Sequence, residues 1–267
     1  MSTTSAFAKA GAEGRAALIG YLPAGFPDVK VGTAALKTMV AAGCDVIELG
    51  LPYSDPVMDG PVIQAAAQQA LDQGTRTTDA LRIVEAIAAD APTVVMTYWN
   101  PVERYGVDRF ARDLASVGGA GLVTPDITPD YGREWIDAAD ACDLDKVFLV
   151  APSSTSERIV MTTAACRGFV YATAVMGVTG ARETASALAA PLVERVKRLR
   201  PLGSDLPVAV GLGISTGAQA KDVAQYADGV IVGSAFVRVL QQHASDPKEG
   251  LKALARLTEE LAEGVRR

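Results

Sequence analysis

Eight short apolar, β-prone runs recur along this chain, at 17–22, 46–49, 93–97, 121–123, 146–150, 169–172, 207–210 and 229–232. Between them lie segments whose apolar residues repeat at helical spacing: 31–42, 63–74, 78–89, 107–117, 131–141, 156–166, 185–199 and 216–226, with a last one at 247–265. Ser156-Glu157, Asp108 and Ser215-Thr216 supply helix-start chemistry. Strand and helix alternate at about one unit per 33 residues, which fits an α/β fold of the (β/α)₈ or TIM-barrel type. A doubly wound open sheet is the competing solution. It usually carries a glycine-rich fingerprint after its first strand, whereas Leu22-Pro23-Ala24-Gly25-Phe26-Pro27 follows here. No compositional break or linker divides the chain, so residues 1–267 are expected to form a single barrel domain. An N-terminal helix or tail over about 1–14 is expected to close its bottom.

With 49% hydrophobic residues the chain can bury a large core. A formal charge of -6 argues against a nucleic-acid binder, which normally presents a basic face. No apolar run is long enough to span a bilayer and no signal peptide is apparent, so a cytoplasmic location is expected, with no membrane association. Three scattered cysteines read as reduced, mostly buried thiols. One histidine and no cysteine pairs leave no zinc site to expect, and His243 reads as a surface residue.

The chemistry concentrates in Val46-Ile47-Glu48-Leu49-Gly50 and the loop after it. A parallel-sheet strand is almost continuously apolar, so Glu48 inside one is either compensated or used. The following loop is punctuated by Pro52, Pro56, Gly60 and Pro61 and carries Asp55 and Asp59. Carboxyl groups around one strand end, in unlike surroundings, suit acid–base chemistry. Asp55, between Ser54 and Pro56, reads as a turn residue.

Active sites of such barrels form at the C-terminal ends of the strands. Tyr21 ends the first, Tyr98-Trp99-Asn100-Pro101 follows the third, and Tyr171 lies in the sixth, an aromatic rim suited to a flat apolar substrate. Glycines mark the other half: Gly177-Val178-Thr179-Gly180, Gly211-Leu212-Gly213-Ile214-Ser215, and Gly233-Ser234, which leads into a short helix. Loops of this kind beside a helix N-terminus bind phosphate. A phosphate-binding barrel isomerase or aldolase therefore stays open at this point. A Schiff-base aldolase is disfavoured, because Lys146 sits at the wrong end of its strand.

These motifs resemble the tryptophan synthase α-subunit family. The resemblance rests on Ile47-Glu48-Leu49-Gly50, Pro52-Tyr53-Ser54-Asp55-Pro56, Asp59-Gly60-Pro61-Val62-Ile63-Gln64, Gly177-Val178-Thr179-Gly180, Gly211-Leu212-Gly213-Ile214-Ser215 and Gly233-Ser234. It implies retro-aldol cleavage of indole-3-glycerol phosphate to indole and glyceraldehyde 3-phosphate. Glu48 is then the proton shuttle, and Asp59, ionised on a wetter loop, stabilises the indole ring nitrogen. Tyr21, Tyr98, Tyr171 and Thr179 would bind substrate, with Gly180, Gly211, Gly213, Gly233 and Ser234 around its phosphate. The resemblance further implies no cofactor on this chain and a β-subunit partner, in an αββα heterotetramer, that carries pyridoxal phosphate. A non-catalytic activator of a β subunit is the remaining alternative.

Overall fold

A computed structural model describes residues 2–173 and 182–266, the side chains of 182–187 excepted. The strands are β1 (Ala17–Pro23), β2 (Val46–Gly50), β3 (Thr93–Met96), β4 (Gly121–Thr124), β5 (Asp145–Val150), β6 (Val170–Thr173), β7 (Val208–Gly211) and β8 (Gly229–Val232). Each pairs in parallel with the next, and β8 pairs with β1, closing the barrel. The helices are α1 (Thr3–Ala12), α2 (Val29–Ala41), α3 (Pro61–Asp72), α4 (Thr77–Ile87), α5 (Trp99–Tyr105), α6 (Val107–Ser116) and α7 (Arg133–Ala141). After them come α8 (Ser156–Ala165), α9 (Arg182–Leu199), α10 (Gly217–Ala224), α11 (Ser234–Gln242) and α12 (Pro247–Gly264).

Strand alternation sorts the apolar residues into two cores. Ala17, Ile19, Val46, Val94, Val123, Val147, Phe169, Ala209 and Ile231 fill the interior. Their neighbours Leu18, Ile47, Leu122, Phe148, Val210 and Val230 pack outward under the helices. The same parity carried two residues further along each strand delivers Tyr21, Glu48, Met96, Tyr171, Gly211 and Gly233 to the C-terminal end of the interior.

The opposite end is closed by α1. Phe7 enters the barrel with its ring centroid 5.3 Å from that of Phe169, a burial that contributes roughly 1.5–3 kcal/mol. A side chain at Gly229 would meet the Phe7 ring at 2.8 Å, so glycine is what admits it. Thr3 Oγ1 donates to Asp145 at 2.5 Å, and Arg15 forms a two-pronged pair with Asp45 at 2.6 and 2.8 Å. Asp45 also accepts the Leu18 N–H at 2.9 Å, so one carboxylate joins α1's exit to the first two strands.

Two expectations need correcting. The stretch after β3, to which no helix was assigned, forms α5, whose first amide, that of Trp99, is received by Asp126 at 3.0 Å. A capping acceptor 27 residues away supplies what the local sequence lacks. His243, read as a surface residue, is half-buried at the end of α11, with Nδ1 2.9 Å from the Val239 carbonyl.

Candidate active site

Tyr21, Glu48, Asp59, Tyr171, Gly233 and Ser234 line one cavity of about 140 Å³ at the C-terminal mouth of the barrel. Met58, Gly60, Ile63, Met96 and Ile231 complete the wall. The apolar members among these escaped the sequence reading, although the period-two pattern of β3 and β8 aims Met96 and Ile231 inward. Wider clefts of about 520 and 350 Å³ lie at the other end, against α1. Their charged lining is largely neutralised in pairs such as Arg15–Asp45 and Lys197–Asp228.

Glu48 is 1% exposed, and among the described residues its Oε2 has no hydrogen-bond partner. Burial first, and the Asp59 charge second, push its pKa up to about 8. It is therefore mostly protonated at neutral pH. Register places it beside Tyr21, and the β1 and β6 phenols both feel the two acids. Burial foremost holds both phenols well above the ordinary tyrosine value, so they remain neutral donors.

Asp59 ends the loop between β2 and α3 and is half-buried. Its surroundings are wetter than those of Glu48 but still dry enough for burial to raise its pKa. A hydrogen bond with Tyr98 opposes that rise. Gln64, in the first turn of α3, donates to the Asp59 carbonyl at 2.9 Å and fixes the loop end. Asp55 accepts from Ser54 at 2.6 Å, a local turn contact.

The glycines divide by position. Gly233 is the N-cap of α11 and packs against Tyr21, whose ring a side chain at this position would meet at 3.0 Å. The first turn of α11 carries no acid and no side chain caps it, leaving the Ser234, Ala235 and Phe236 amides available to an anion. Gly211 lies under the Tyr171 hydroxyl, which an added Cβ would meet at 2.4 Å. Gly213 turns the loop after β7 at φ +68 but does not line the cavity. Thr179 and Gly180 fall outside the described residues. Among the described residues no cluster of three or more His, Cys, Asp or Glu could hold a metal.

A closed parallel barrel with two unlike carboxyl groups and an open helix N-terminus at its C-terminal mouth defines the class, a (β/α)₈-barrel enzyme. The family model "Tryptophan synthase alpha chain" matches residues 7–266. The chain is 62% identical over 262 residues to the tryptophan synthase alpha chain of Salinispora arenicola, covering 98% of this chain and 96% of that one. It is 59% identical over 257 residues to that of Acidothermus cellulolyticus, covering 96% and 94%. A crystal structure of tryptophan synthase from M. tuberculosis superposes with a TM-score of 0.89 at 52% identity, covering 99% of this chain and 98% of that one. The chain belongs to the tryptophan synthase alpha chain family and is a lyase of tryptophan biosynthesis.

Proposed function

We propose that this cavity performs the retro-aldol cleavage of indole-3-glycerol phosphate, with Glu48 and Asp59 as its acid–base pair. The single observation that carries the assignment is that two carboxyl groups share one cavity in different surroundings.

Protonated Glu48 gives its proton to C3 of the indole ring. The ring nitrogen becomes electron-poor, and ionised Asp59, accepting the indole N–H, stabilises that charge. The C3–side-chain bond then breaks and its electron pair returns to the ring. The Glu48 carboxylate takes the proton of the adjacent side-chain hydroxyl as that carbon becomes the aldehyde. Glu48 ends protonated, indole and glyceraldehyde 3-phosphate leave, and no net proton is consumed. The Ser234 amide and the first turn of α11 receive the phosphate, while Tyr21 and Tyr171 flank the ring.

The partner in this reading is a tryptophan synthase β subunit carrying pyridoxal phosphate, in an αββα assembly in the cytoplasm. No helix of the described residues is long and apolar enough to cross a membrane. Val57, 79% exposed beside the site, supplies apolar surface for that contact. Purified protein given indole-3-glycerol phosphate should release indole slowly alone and faster with a cognate β subunit. No release under either condition would exclude the reading.

A further inference from the structure

Asp59 can hold an indole nitrogen only if its loop and its side chain are both fixed, and the loop from Leu51 to Gly60 has neither helix nor strand. One side chain reaches both. Tyr98, the N-cap residue of α5, is 5% exposed, and its hydroxyl accepts the Met58 N–H at 2.8 Å. A phenol has a single proton and two acceptor lone pairs. With a lone pair committed to Met58, the proton is free for the side chain of Asp59, the next residue along the loop, whose charge bears on the phenol.

Tyr98 is itself held on two sides. Its ring lies 5.3 Å from that of Tyr53 at 34°, and Asn100 Nδ2 donates to the Tyr53 hydroxyl at 3.1 Å. The helix that begins after Tyr98 is anchored by Asp126, whose two carboxylate oxygens are both 3.0 Å from the Trp99 nitrogen. The phenol is thus mounted on the barrel rim and holds the loop at Met58, one residue before Asp59.

We infer that Tyr98 is the positioning residue for Asp59, its hydroxyl fixing the loop through Met58 and aiming the Asp59 carboxylate through a donated hydrogen bond. This rests on Asp59 being the group that stabilises the indole nitrogen. A neutral phenol donating to a carboxylate favours the ionised form, so the same contact keeps Asp59 charged in a site whose dryness opposes charge. Tyr98 acts on the chemistry through Asp59 rather than on the scissile bond.

Tyr98→Phe keeps the ring and the Tyr53 packing and removes only the hydroxyl. In the cleavage assay kcat should fall roughly ten- to a hundredfold, as expected for losing a hydrogen bond to a charged group, with KM within about twofold. The acid limb of the kcat profile should move to higher pH, because Asp59 loses the donor that holds its pKa down. In an Asp59→Asn background Tyr98→Phe should cost nothing further. A ¹³C titration of the Asp59 carboxyl in wild type and Tyr98→Phe reads the same shift without turnover. An unmoved acid limb, or an equal loss on top of Asp59→Asn, would overturn the positioning role while leaving Asp59 catalytic. Full activity of Asp59→Asn alone is a different failure: it overturns the assignment of Asp59 and this inference with it.

Discussion

Asp59 faces Glu48 across one small cavity, and its charge is the second cause, after burial, of the Glu48 pKa standing at about 8. Each acid therefore sets conditions for the other. Ionised Asp59 keeps Glu48 protonated and ready to donate, while the Tyr98 hydroxyl and the wetter loop let Asp59 carry the charge.

The first consequence is a bell-shaped pH dependence of kcat/KM. Glu48 must begin protonated, so activity should fall as pH rises past about 8. Asp59 must begin ionised, and its raised pKa puts the acid limb above the ordinary aspartate range. Steady-state kinetics across this range checks both limbs, and a profile still rising well above pH 8 would contradict donation by Glu48.

Removing the Glu48 carboxyl should move stability in the opposite sense to activity. Unfolded Glu48 titrates at its ordinary 4.5 and folded Glu48 at about 8, so the folded state binds the proton more tightly. The folded chain is unpenalised below the lower value and loses stability as pH rises through the higher one, by an amount on the order of a few kcal/mol. Glu48→Gln should therefore be nearly inactive yet melt a few degrees higher than wild type at pH 8.5, with the gap closing toward pH 4.5. Calorimetry at the two pH values decides, and a lower Tm for the variant at pH 8.5 counts against a charge buried without compensation.

Phosphate recognition can be tested at the N-cap of α11. Gly233→Val puts branched carbon where a Cβ already meets Tyr21 at 3.0 Å, and it crowds the approach to the Ser234 amide. Binding of glycerol phosphate should weaken by about tenfold or more, with Tm lowered only modestly. Titration calorimetry on the folded variant reads this, and unchanged affinity would place the phosphate elsewhere.

Docking can be probed at Val57, which points away from the cavity and is 79% exposed. Val57→Asp should weaken the complex with a β subunit by about tenfold or more, because a carboxylate would have to lose its water on contact. The slow rate of the isolated chain should stay the same. Sedimentation of mixed subunits would show unweakened association if the docking surface lies elsewhere.

The barrel was legible because its parallel strands are continuous apolar runs, and those runs locate all eight strands within a residue or so. Glu48 was legible for the same reason, as the one carboxylate in such a run. What stayed hidden depends on partners far along the chain. α5 contains Asn100 and Pro101 and looks like a turn until Asp126 arrives to cap it. The tie from Tyr98 to Met58 spans 40 residues, and no local pattern distinguishes Tyr98 from an ordinary packed aromatic. Of the expected phosphate glycines, Gly233 lines the cavity and Gly213 does not, a distinction set by how each loop folds back rather than by composition.

The helix that plugs the N-terminal end has a bearing on traffic. With Phe7 seated against Phe169, the described residues make the barrel a blind well, stoppered at the floor. Among the described residues, substrate descending into it and products climbing out use the end opposite the stopper, where Val57 stands exposed. A protein seated on that brim would need no tunnel through this chain to intercept indole; the stopper alone sends every departing molecule toward it.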